Sequence, residues 1–275
     1  MRLEGIDGST QVYGIIGDPV GSVRSPEVFN AMFSHENVNA VFIPIHVGPD
    51  DLVKAWEGLK SIKNLTGIVI TMPHKSRMAE LLDELGDTGK FLGSVNTAKR
   101  GPDGRWTGDM FDGHGFVDGL RREGHEPEGW KVQLHGLGGA GSAIAFALAQ
   151  TGVSFISLND VDQDKCEKLS IRLKTQFPSL KVEIGSAKGT YLNAVINASP
   201  LGMREDDPLP FDPLELPSTT LVVDVVTKPE MTPLLSLAEK SGHRVHTGTH
   251  MHLGQARLAA KFFGFEKSEK KQKLF

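Results

Sequence analysis

The sequence predicts an α/β protein in which an N-terminal α/β domain is followed by a doubly wound domain with a parallel sheet. In the second half of the chain, short apolar segments typical of strands recur between helical segments, at 131–134, 154–158, 194–197 and 221–226. Such alternation is typical of a parallel sheet with helices on both faces. With 275 residues, the chain is long enough for two domains that each bury a core.

The first half of the chain predicts strands, one of which should be an edge strand. Apolar runs at 12–16, 40–47 and 65–71 have strand character. Pro44 lies inside the second run, and proline in a sheet is found at edges and irregularities. The third run is strongly apolar, so we expect it to be buried on both faces.

Helices and a hairpin connect these strands. Ser25 precedes Pro26, which predicts a helix with Ser25 as N-cap and proline at the first helical position. Another helix should follow Lys75 and run to Leu85. After that helix, strand-like segments flank a Gly-Pro-Asp-Gly turn, which predicts a hairpin over 95–110.

A glycine-rich stretch joins the first strand of the second half to a run of helix-forming residues. It carries the pattern G-x-G-x-x-G at Gly136, Gly138 and Gly141. In this setting the first glycine permits a tight turn, the second lets the backbone approach a pyrophosphate, and the third lets the helix pack closely on the strand. Backbone N–H groups at the helix start then face the phosphate charge. The stretch, with Gly139 and Ala140, therefore predicts a dinucleotide site in a Rossmann-type domain; a plain structural turn is the alternative.

An acidic residue follows the second strand of this predicted nucleotide domain. Asn159 and Asp160 lie roughly 20 residues after the glycines, where a carboxylate can accept hydrogen bonds from the ribose hydroxyls of adenosine. The same carboxylate repels a 2′-phosphate, so Asp160 favours NAD over NADP. The alternative is that Asp160 or Asp162 caps the helix predicted at 163–177. We expect NAD as the cofactor, in contact with Asn159 and Asp160.

Composition and charge argue against several classes of protein. The net charge of −4 and the pI near 6.2 argue against a nucleic-acid-binding surface. No apolar run approaches the length of a membrane span. Cys166 is the one cysteine, which suits a reducing compartment, and we expect a cytoplasmic protein. We expect no metal site at His74, His250 and His252, because H-x-H at a helix start does not place both imidazoles on one face.

The predicted elements divide the chain near Asp112. Residues 1–111 form the first domain and 112–248 the second. A second crossing near Gly248 returns a C-terminal helix, 249–275, to the first domain. We expect the active site in the cleft between these domains.

Short motifs are spread over nearly the whole chain. They are Gly17-Asp-Pro with Ser25-Pro26 and Asn30, Thr71-Met-Pro-His-Lys75, Gly93-Ser-Val-Asn-Thr97, Gly108-Asp-Met-Phe-Asp-Gly113, the glycine-rich stretch, Val195-Ile-Asn-Ala-Ser-Pro-Leu-Gly-Met203, Asp224-Val-Val-Thr-Lys-Pro229 and Met251-His-Leu-Gly-Gln255. In type and order they resemble the motifs of the shikimate dehydrogenase family. The resemblance implies that the first domain binds substrate and that the second is the NAD-binding Rossmann domain.

The resemblance also implies a role for each matching position. Lys75 and Asp112 match the family's proton-transfer pair: a lysine in a cleft takes the hydroxyl proton while a hydride leaves carbon, and a nearby carboxylate orients it. Substrate contacts are implied for Ser25, Thr71, Asn96 and Gln255, and backbone contacts to the nicotinamide for Val225 and Gly248.

The departures from the family pattern fall at the substrate end. Val23 stands where the family has a hydroxyl residue, and Val69 stands where it has asparagine. Phe111 and Thr227 replace the usual threonine and tyrosine. A lost hydroxyl and a lost amide each weaken the binding of a polyol acid by about 1 kcal/mol. Arg24 is a candidate to hold a carboxylate with two parallel hydrogen bonds; the alternative is that it points into solvent.

We interpret the chain as an NAD-dependent dehydrogenase that reversibly oxidises a ring hydroxyl of shikimate, quinate or a related cyclic hydroxy acid. The resemblance places such a reaction in aromatic amino acid biosynthesis. Two alternatives are a paralogue that acts on a different alcohol, with weak shikimate activity, and a nucleotide-responsive binding protein without catalysis. We expect a small-molecule substrate, no nucleic acid and no membrane as partners, and either a monomer or a homodimer.

Overall fold

The computed structural model describes residues 5–21, 23–187 and 191–265. The described chain divides into two compact units. Unit 1 contains the described residues up to Phe111 and those from Ala256 onward, and unit 2 is Asp112–Gln255. Residues 266–275 of the predicted C-terminal helix lie outside the described residues.

Unit 1 contains a mixed sheet and helices. Its strands are β1 (Gln11–Gly17), β2 (Ala40–His46), β3 (Leu65–Ile70), β4 (Glu84–Leu85), β5 (Thr97–Arg100) and β6 (Trp106–Asp109), in the order β2-β1-β3-β5-β6-β4. Its helices are α1 (Ser25–Glu36), α2 (Leu52–Ser61), α3 (Lys75–Leu81) and α4 (Asp87–Leu92). Because β1 pairs in parallel with β2 and β3, the carboxyl ends of these strands lie at one edge of the sheet.

The strands predicted for the first half are confirmed. β2, which contains Pro44, is an edge strand, and β3 is buried along most of its length. β5 and β6 form the predicted antiparallel hairpin, in which Thr97 pairs with Asp109.

The helix predicted to run from Lys75 to Leu85 is wrong at its end, because α3 stops at Leu81. The backbone nitrogen of Asp83 then donates to the Trp106 carbonyl oxygen over 3.1 Å. This bond draws the chain alongside β6, where β4 pairs in parallel with it. Sheet pairing therefore overrides the local helical pattern.

Unit 2 is built around a parallel sheet. Its strands are β7 (Lys131–His135), β8 (Phe155–Asn159), β9 (Lys181–Ile184), β10 (Ala194–Asn197), β11 (Leu221–Asp224) and β12 (Val245–His246), in the order β12-β11-β10-β7-β8-β9, with every described pair parallel. Its helices are α5 (Asp112–Arg122), α6 (Gly139–Thr151), α7 (Gln163–Gln176), α8 (Pro233–Lys240) and the start of α9 (Gly248–Phe262). This is the strand order of doubly wound dinucleotide-binding sheets, and it confirms the predicted fold class.

Small residues bring α5 and α9 close together in unit 2. A Cβ on Gly115 would lie 2.4 Å from the backbone nitrogen of Gln255, and one on Gly254 would lie 2.2 Å from the Gly115 carbonyl oxygen. Neither position can hold a side chain without a shift of backbone. The first turns of α9 therefore belong with α5, and the chain leaves unit 2 after Gln255, later than the crossing predicted near Gly248.

The end of α9 belongs to unit 1 through an aromatic cluster. The Tyr13 ring centroid lies 5.4 Å from that of Phe33 and 5.1 Å from that of Phe263. Phe29 stacks on Phe42 with a centroid distance of 4.6 Å. Because aromatic rings bury large apolar areas, this cluster holds the end of α9 on the unit 1 sheet.

Candidate active site

The carboxyl ends of β1, β2 and β3 meet at the edge where open parallel sheets bind ligands. The Thr71 nitrogen donates to the Ile16 carbonyl oxygen over 2.9 Å, and the Asp18 nitrogen donates to the Met72 carbonyl oxygen over 2.9 Å. This approach requires Gly17, since a Cβ there would lie 2.2 Å from Thr71 Cγ2. The Gly-Asp-Pro motif and the Thr71 motif are thus joined at this edge.

Lys75 begins α3 at the same edge and is half-buried. Its carbonyl oxygen accepts a hydrogen bond from the Val95 nitrogen over 3.0 Å, which brings the segment before β5 beside it. His74 is the N-cap residue of α3 but makes no side-chain cap bond. Its Nε2 instead donates to the Val47 carbonyl oxygen over 2.7 Å, which ties the start of α3 to the end of β2.

Asn96 follows Val95 in that segment and is wholly buried. Its carbonyl oxygen accepts a hydrogen bond from the Ile70 nitrogen over 2.7 Å, so it lies at the end of β3. Its side-chain Oδ1 accepts from the Phe111 nitrogen over 2.9 Å. Because a backbone N–H can only donate, this bond assigns the amide orientation and leaves Nδ2 as the donor side of Asn96.

Ser25 is a buried residue at the start of α1. The prediction that it caps this helix is wrong, because the helix begins at Ser25 itself and Arg24 occupies the N-cap position. Arg24 has helical backbone angles (φ −99°, ψ −9°) and makes no side-chain cap bond. Helix α1 therefore begins one residue earlier than the Ser25-Pro26 pattern predicts.

In unit 2, the glycine loop has the geometry expected of its spacing. Gly136 has φ +89°, and a Cβ there would lie 2.5 Å from the Ser199 nitrogen. A Cβ on Gly141 would lie 1.9 Å from the Gly136 carbonyl oxygen, so the helix start packs directly on the turn. Cβ atoms on Gly138 and Gly139 would have no described atom within 4 Å. The start of α6 is therefore open on the side that a ligand would approach.

Asp160 lies just past β8 and binds this loop. Its Oδ2 accepts a hydrogen bond from the Leu137 nitrogen over 2.6 Å, and its Oδ1 accepts one from the Asp162 nitrogen over 2.9 Å. Burial opposes ionisation, but these backbone donors and the Lys165 charge outweigh it, so the pKa of Asp160 lies below its usual value. The residue that caps α7 is Asp162, whose side chain accepts from the Lys165 nitrogen.

Asn159 adds a donor at the same place. Its carbonyl oxygen accepts a hydrogen bond from the Gly136 nitrogen over 2.8 Å. Its Nδ2 is buried, and no described residue accepts a hydrogen bond from it. Such atoms are rare in folded proteins, and a bound ligand is one explanation for them.

A buried polar network lies at the ends of β10 and β11, and the sequence patterns do not predict it. Asn197 Nδ2 donates to Asp224 Oδ1 over 3.0 Å, and Asn197 Oδ1 accepts from Ser199 Oγ over 2.6 Å. Asp224 Oδ2 accepts from Thr232 Oγ1 over 2.8 Å. Burial raises the pKa of Asp224. Polar residues that end two apolar strands were the available signal, and the network shapes the loops that follow these strands.

Val225, directly after this network, lies against Gly248. A Cβ on Gly248 would lie 2.4 Å from the Val225 carbonyl oxygen, so α9 begins in contact with the β11 loop. Gln255, further along α9, lies against α5 as described above. The predicted nicotinamide-flanking residues are therefore neighbours within unit 2.

Asp112 is the buried first residue of α5. A Cβ on Gly113 would lie 1.9 Å from the Ala143 carbonyl oxygen, so α5 packs directly on α6, the helix that begins in the glycine loop. This packing gives Asp112 a set position relative to that loop. Lys75 belongs to unit 1, and its pairing with Asp112 stays a prediction.

Metal ligands, membrane spans and the cysteine are the remaining features that bear on function in the part of the chain that the structure describes. No group of His, Cys, Asp and Glu there could hold a metal ion. No helix among the described residues is long and apolar enough to cross a membrane. Cys166 is buried in α7, and burial raises the pKa of its thiol.

Comparison with known proteins identifies the family. Residues 15–98 match the family model described as the shikimate dehydrogenase substrate binding domain. The shikimate dehydrogenase (NADP(+)) of Rubrobacter xylanophilus is 34% identical over 261 residues, which cover 93% of this chain and 91% of that protein. The chain belongs to the shikimate dehydrogenase family. The predicted resemblance is confirmed, and with it the prediction of a dehydrogenase that acts on a CH–OH group.

Solved structures of similar fold agree with this assignment. The shikimate 5-dehydrogenase of Listeria monocytogenes in complex with shikimate and NAD has a TM-score of 0.89 and 28% identity, covering 98% of this chain and 96% of that chain. The 5-ketofructose reductase of a Gluconobacter species has a TM-score of 0.84 and 25% identity, covering 92% of each chain. The Rubrobacter relative is named for NADP(+) and the Listeria structure contains NAD, so these two similar proteins are associated with different nucleotides.

Two departures from the shikimate dehydrogenase pattern share one location. Val69 is a buried member of the aromatic cluster of unit 1, and Val23 packs against the same cluster. Val69 thus belongs to the hydrophobic core, and Val23 lies partly buried against it. The Phe111 ring packs on Phe262 with a centroid distance of 5.2 Å, and Arg24 is exposed.

Proposed function

We propose that this shikimate dehydrogenase family member catalyses the NAD-dependent, reversible oxidation of a ring hydroxyl of shikimate, quinate or a related cyclic hydroxy acid. The observation that carries the proposal is the meeting of Thr71, Lys75 and Asn96 at one edge of the unit 1 sheet. Residues that carry a hydroxyl, an amine and an amide at one edge of the sheet suit a polyhydroxylated ring. The cytoplasm and aromatic amino acid biosynthesis are the corresponding setting.

We assign proton transfer to Lys75 and Asp112. In the oxidation, Nζ of Lys75 accepts the hydroxyl proton as the carbon loses its hydride, and in the reverse reaction it returns that proton. Asp112 orients the lysine and compensates the charge that the ammonium gains. NAD, when bound, supplies the acceptor for the hydride. The burial of Asp112 at the start of α5 supports this role, because a buried carboxylate needs a charged or hydrogen-bonded partner.

The residues of unit 2 fit NAD better than NADP. The open helix start at Gly138 and Gly139 accommodates a pyrophosphate, and the turn is shaped by Gly136, Ala140 and Gly141. The Asp160 carboxylate is charged at neutral pH, and its lowered pKa keeps it charged in more acidic solution as well. Its carboxylate attracts ribose hydroxyls and repels a 2′-phosphate. Asn159 supplies a further donor, and Val225 and Gly248 flank the nicotinamide through their backbones.

Ser25, Thr71, Asn96 and Gln255 are assigned to the substrate. Asn96 would act through Nδ2, because its Oδ1 already accepts from the Phe111 nitrogen. The substrate atom that it meets is therefore an acceptor, such as a hydroxyl or carboxylate oxygen. Replacement of Asn96 by aspartate would remove this donor and weaken the binding of hydroxy acids.

The test is a panel assay of NADH and NADPH absorbance. Shikimate, quinate and cyclic alcohols without a carboxylate are each offered with NAD and with NADP. We expect turnover of at least one cyclic hydroxy acid and a kcat/KM for NAD at least tenfold above that for NADP, which corresponds to about 1.4 kcal/mol. No turnover of any cyclic hydroxy acid would overturn the proposal.

A second candidate is a family member that acts on a different alcohol and only weakly on shikimate. The observation that favours it is the packing of buried Val69 and partly buried Val23 with the aromatic cluster, where the family motifs offer polar side chains. The likeness to a 5-ketofructose reductase makes sugar ketones and their alcohols the first compounds to try. A kcat/KM for such a compound above that for shikimate and quinate would support this candidate over the first.

A further inference from the structure

His74 directly precedes Lys75 and is buried, yet the proposed chemistry does not use it. An N-cap side chain ordinarily turns back to the first N–H groups of its own helix. His74 instead reaches away from α3 and bonds the Val47 carbonyl oxygen over 2.7 Å. α3 spans only Lys75–Leu81, and a helix of this length is marginal without tertiary contacts. The His74 side chain supplies one such contact at the end that carries Lys75.

Val47 is itself attached to the sheet. Its nitrogen donates to the Gly17 carbonyl oxygen over 3.1 Å, at the end of β1. The His74 bond therefore connects the N-cap residue of α3 to the ends of both β1 and β2. The backbone bond from the His74 nitrogen to the Thr71 carbonyl oxygen, over 3.0 Å, closes the turn on its other side.

We propose that His74 is the positioning residue for Lys75, acting through its hydrogen bond to Val47. The proposal rests on the proposed proton-transfer role of Lys75. Because a carbonyl oxygen can only accept, Nε2 of His74 carries a proton and is committed to this bond. The imidazole therefore holds the turn through its Nε2. Displacement of a catalytic group by about 1 Å lowers the rate by about 10²-fold, so a single lost bond is enough to matter.

The experiment compares two substitutions at His74. Glutamine carries its amide nitrogen the same number of bonds from Cα as Nε2 of histidine and can donate to Val47, whereas leucine cannot donate. We expect kcat to fall by about 10- to 100-fold in His74→Leu and to recover to within about threefold of the original in His74→Gln. The KM for NAD should stay within about twofold in both, because the assigned cofactor residues lie in unit 2.

The chain offers a matched control in His243, another buried histidine, whose Nδ1 lies 3.2 Å from the Thr220 carbonyl oxygen in unit 2. His243→Leu removes a bond of the same kind and should lower the unfolding temperature without lowering kcat. If His74→Leu does not fold, His74→Asn takes its place, because the asparagine amide is too short to reach Val47.

Each result of these experiments supports or contradicts the role of His74. A folded His74→Leu or His74→Asn with kcat within threefold of the original overturns the proposal, and so does a His74→Gln that is as slow as His74→Leu. An equal loss of kcat in His243→Leu would show a general effect of stability and overturn it as well. Lys75→Ala separates this proposal from the proposed function: retained turnover there refutes the role of Lys75, whereas lost turnover beside an active His74→Leu refutes only the role of His74.

Discussion

The carboxylate of Asp160 accepts a hydrogen bond from the Leu137 nitrogen over 2.6 Å. This contact connects the residue proposed to select the cofactor with the glycine loop proposed to hold its phosphates. It also keeps the carboxylate ionised, because hydrogen bonds to the charged form favour that form. A substitution at Asp160 therefore changes a charge and a loop contact together, and an experiment on cofactor choice must separate the two.

Asp160→Asn should narrow the preference for NAD over NADP by about tenfold, or about 1.4 kcal/mol, in the ratio of the two kcat/KM values. Asparagine keeps an oxygen for the Leu137 nitrogen but removes the negative charge. Asp160→Arg, which adds an attraction for a 2′-phosphate, should move the preference further toward NADP. Asp162→Asn is the control, since asparagine still caps α7 and the ratio should not change. An unchanged ratio in Asp160→Arg contradicts the assignment.

Gly141→Ala should destabilise the fold, whereas Gly138→Ala should weaken the binding of the cofactor. The alanine Cβ at 141 would lie 1.9 Å from the Gly136 carbonyl oxygen, so Gly141→Ala should lower the unfolding temperature. At Gly138 the Cβ meets no described atom within 4 Å, so the fold should tolerate it. The added methyl group at position 138 would occupy space needed for the pyrophosphate. We therefore expect the affinity for NAD to drop at least about tenfold. Thermal melts measure the unfolding temperature, and fluorescence titration of NADH measures the nucleotide affinity. An unchanged affinity for NADH in Gly138→Ala would argue against a phosphate at this loop.

Lys75→Ala should lower kcat by about 10²- to 10⁴-fold while NADH affinity is nearly unchanged, because it removes the group that takes the hydroxyl proton. Asp112→Asn should also lower kcat, since the asparagine amide cannot compensate the charge of the Lys75 ammonium. The measurements are steady-state turnover and fluorescence titration of NADH. Turnover near the original rate in Lys75→Ala would rule out its assigned role.

His246 should make the protein sensitive to acid. It is buried beside His250, at a ring centroid distance of 4.6 Å, and His125. Burial, with smaller contributions from these two imidazoles, lowers its pKa from 6.5 to about 3. Between these values the unfolded chain binds a proton that the folded chain does not. The free energy of unfolding therefore falls as the pH is lowered through this window, by up to about 1.4 kcal/mol per pH unit.

Urea unfolding at a series of pH values checks this prediction. His135 is partly buried and its pKa is lowered to about 4, so it contributes in the same direction, and His246→Phe should reduce the acid slope without abolishing it. A phenylalanine at the partly exposed His35 serves as the control and should leave the slope in place. An identical slope in His246→Phe would contradict the assignment.

Local patterns were informative where strands are long and apolar. Pro44 indicated an edge strand, and the apolar run of β3 indicated burial. β9 was missed because its short, largely exposed sequence at an edge has no apolar run. The helical pattern of α3 continues past Leu81, so the sequence predicts too long a helix, whereas a backbone bond to Trp106 draws the following chain into the sheet.

The sequence by itself determined the α/β class, the glycine spacing of the nucleotide loop and the order of motifs that identifies the family. Only the tertiary structure decided what individual side chains do: that Asp160 bonds the glycine loop, that the Asn96 side-chain oxygen accepts from the Phe111 nitrogen, and that Val23 packs against the core that contains Val69. Glycine and strand patterns act through neighbouring residues, so they can be read locally. Burial and hydrogen-bond partners come from segments distant in the chain, so they follow only from the fold.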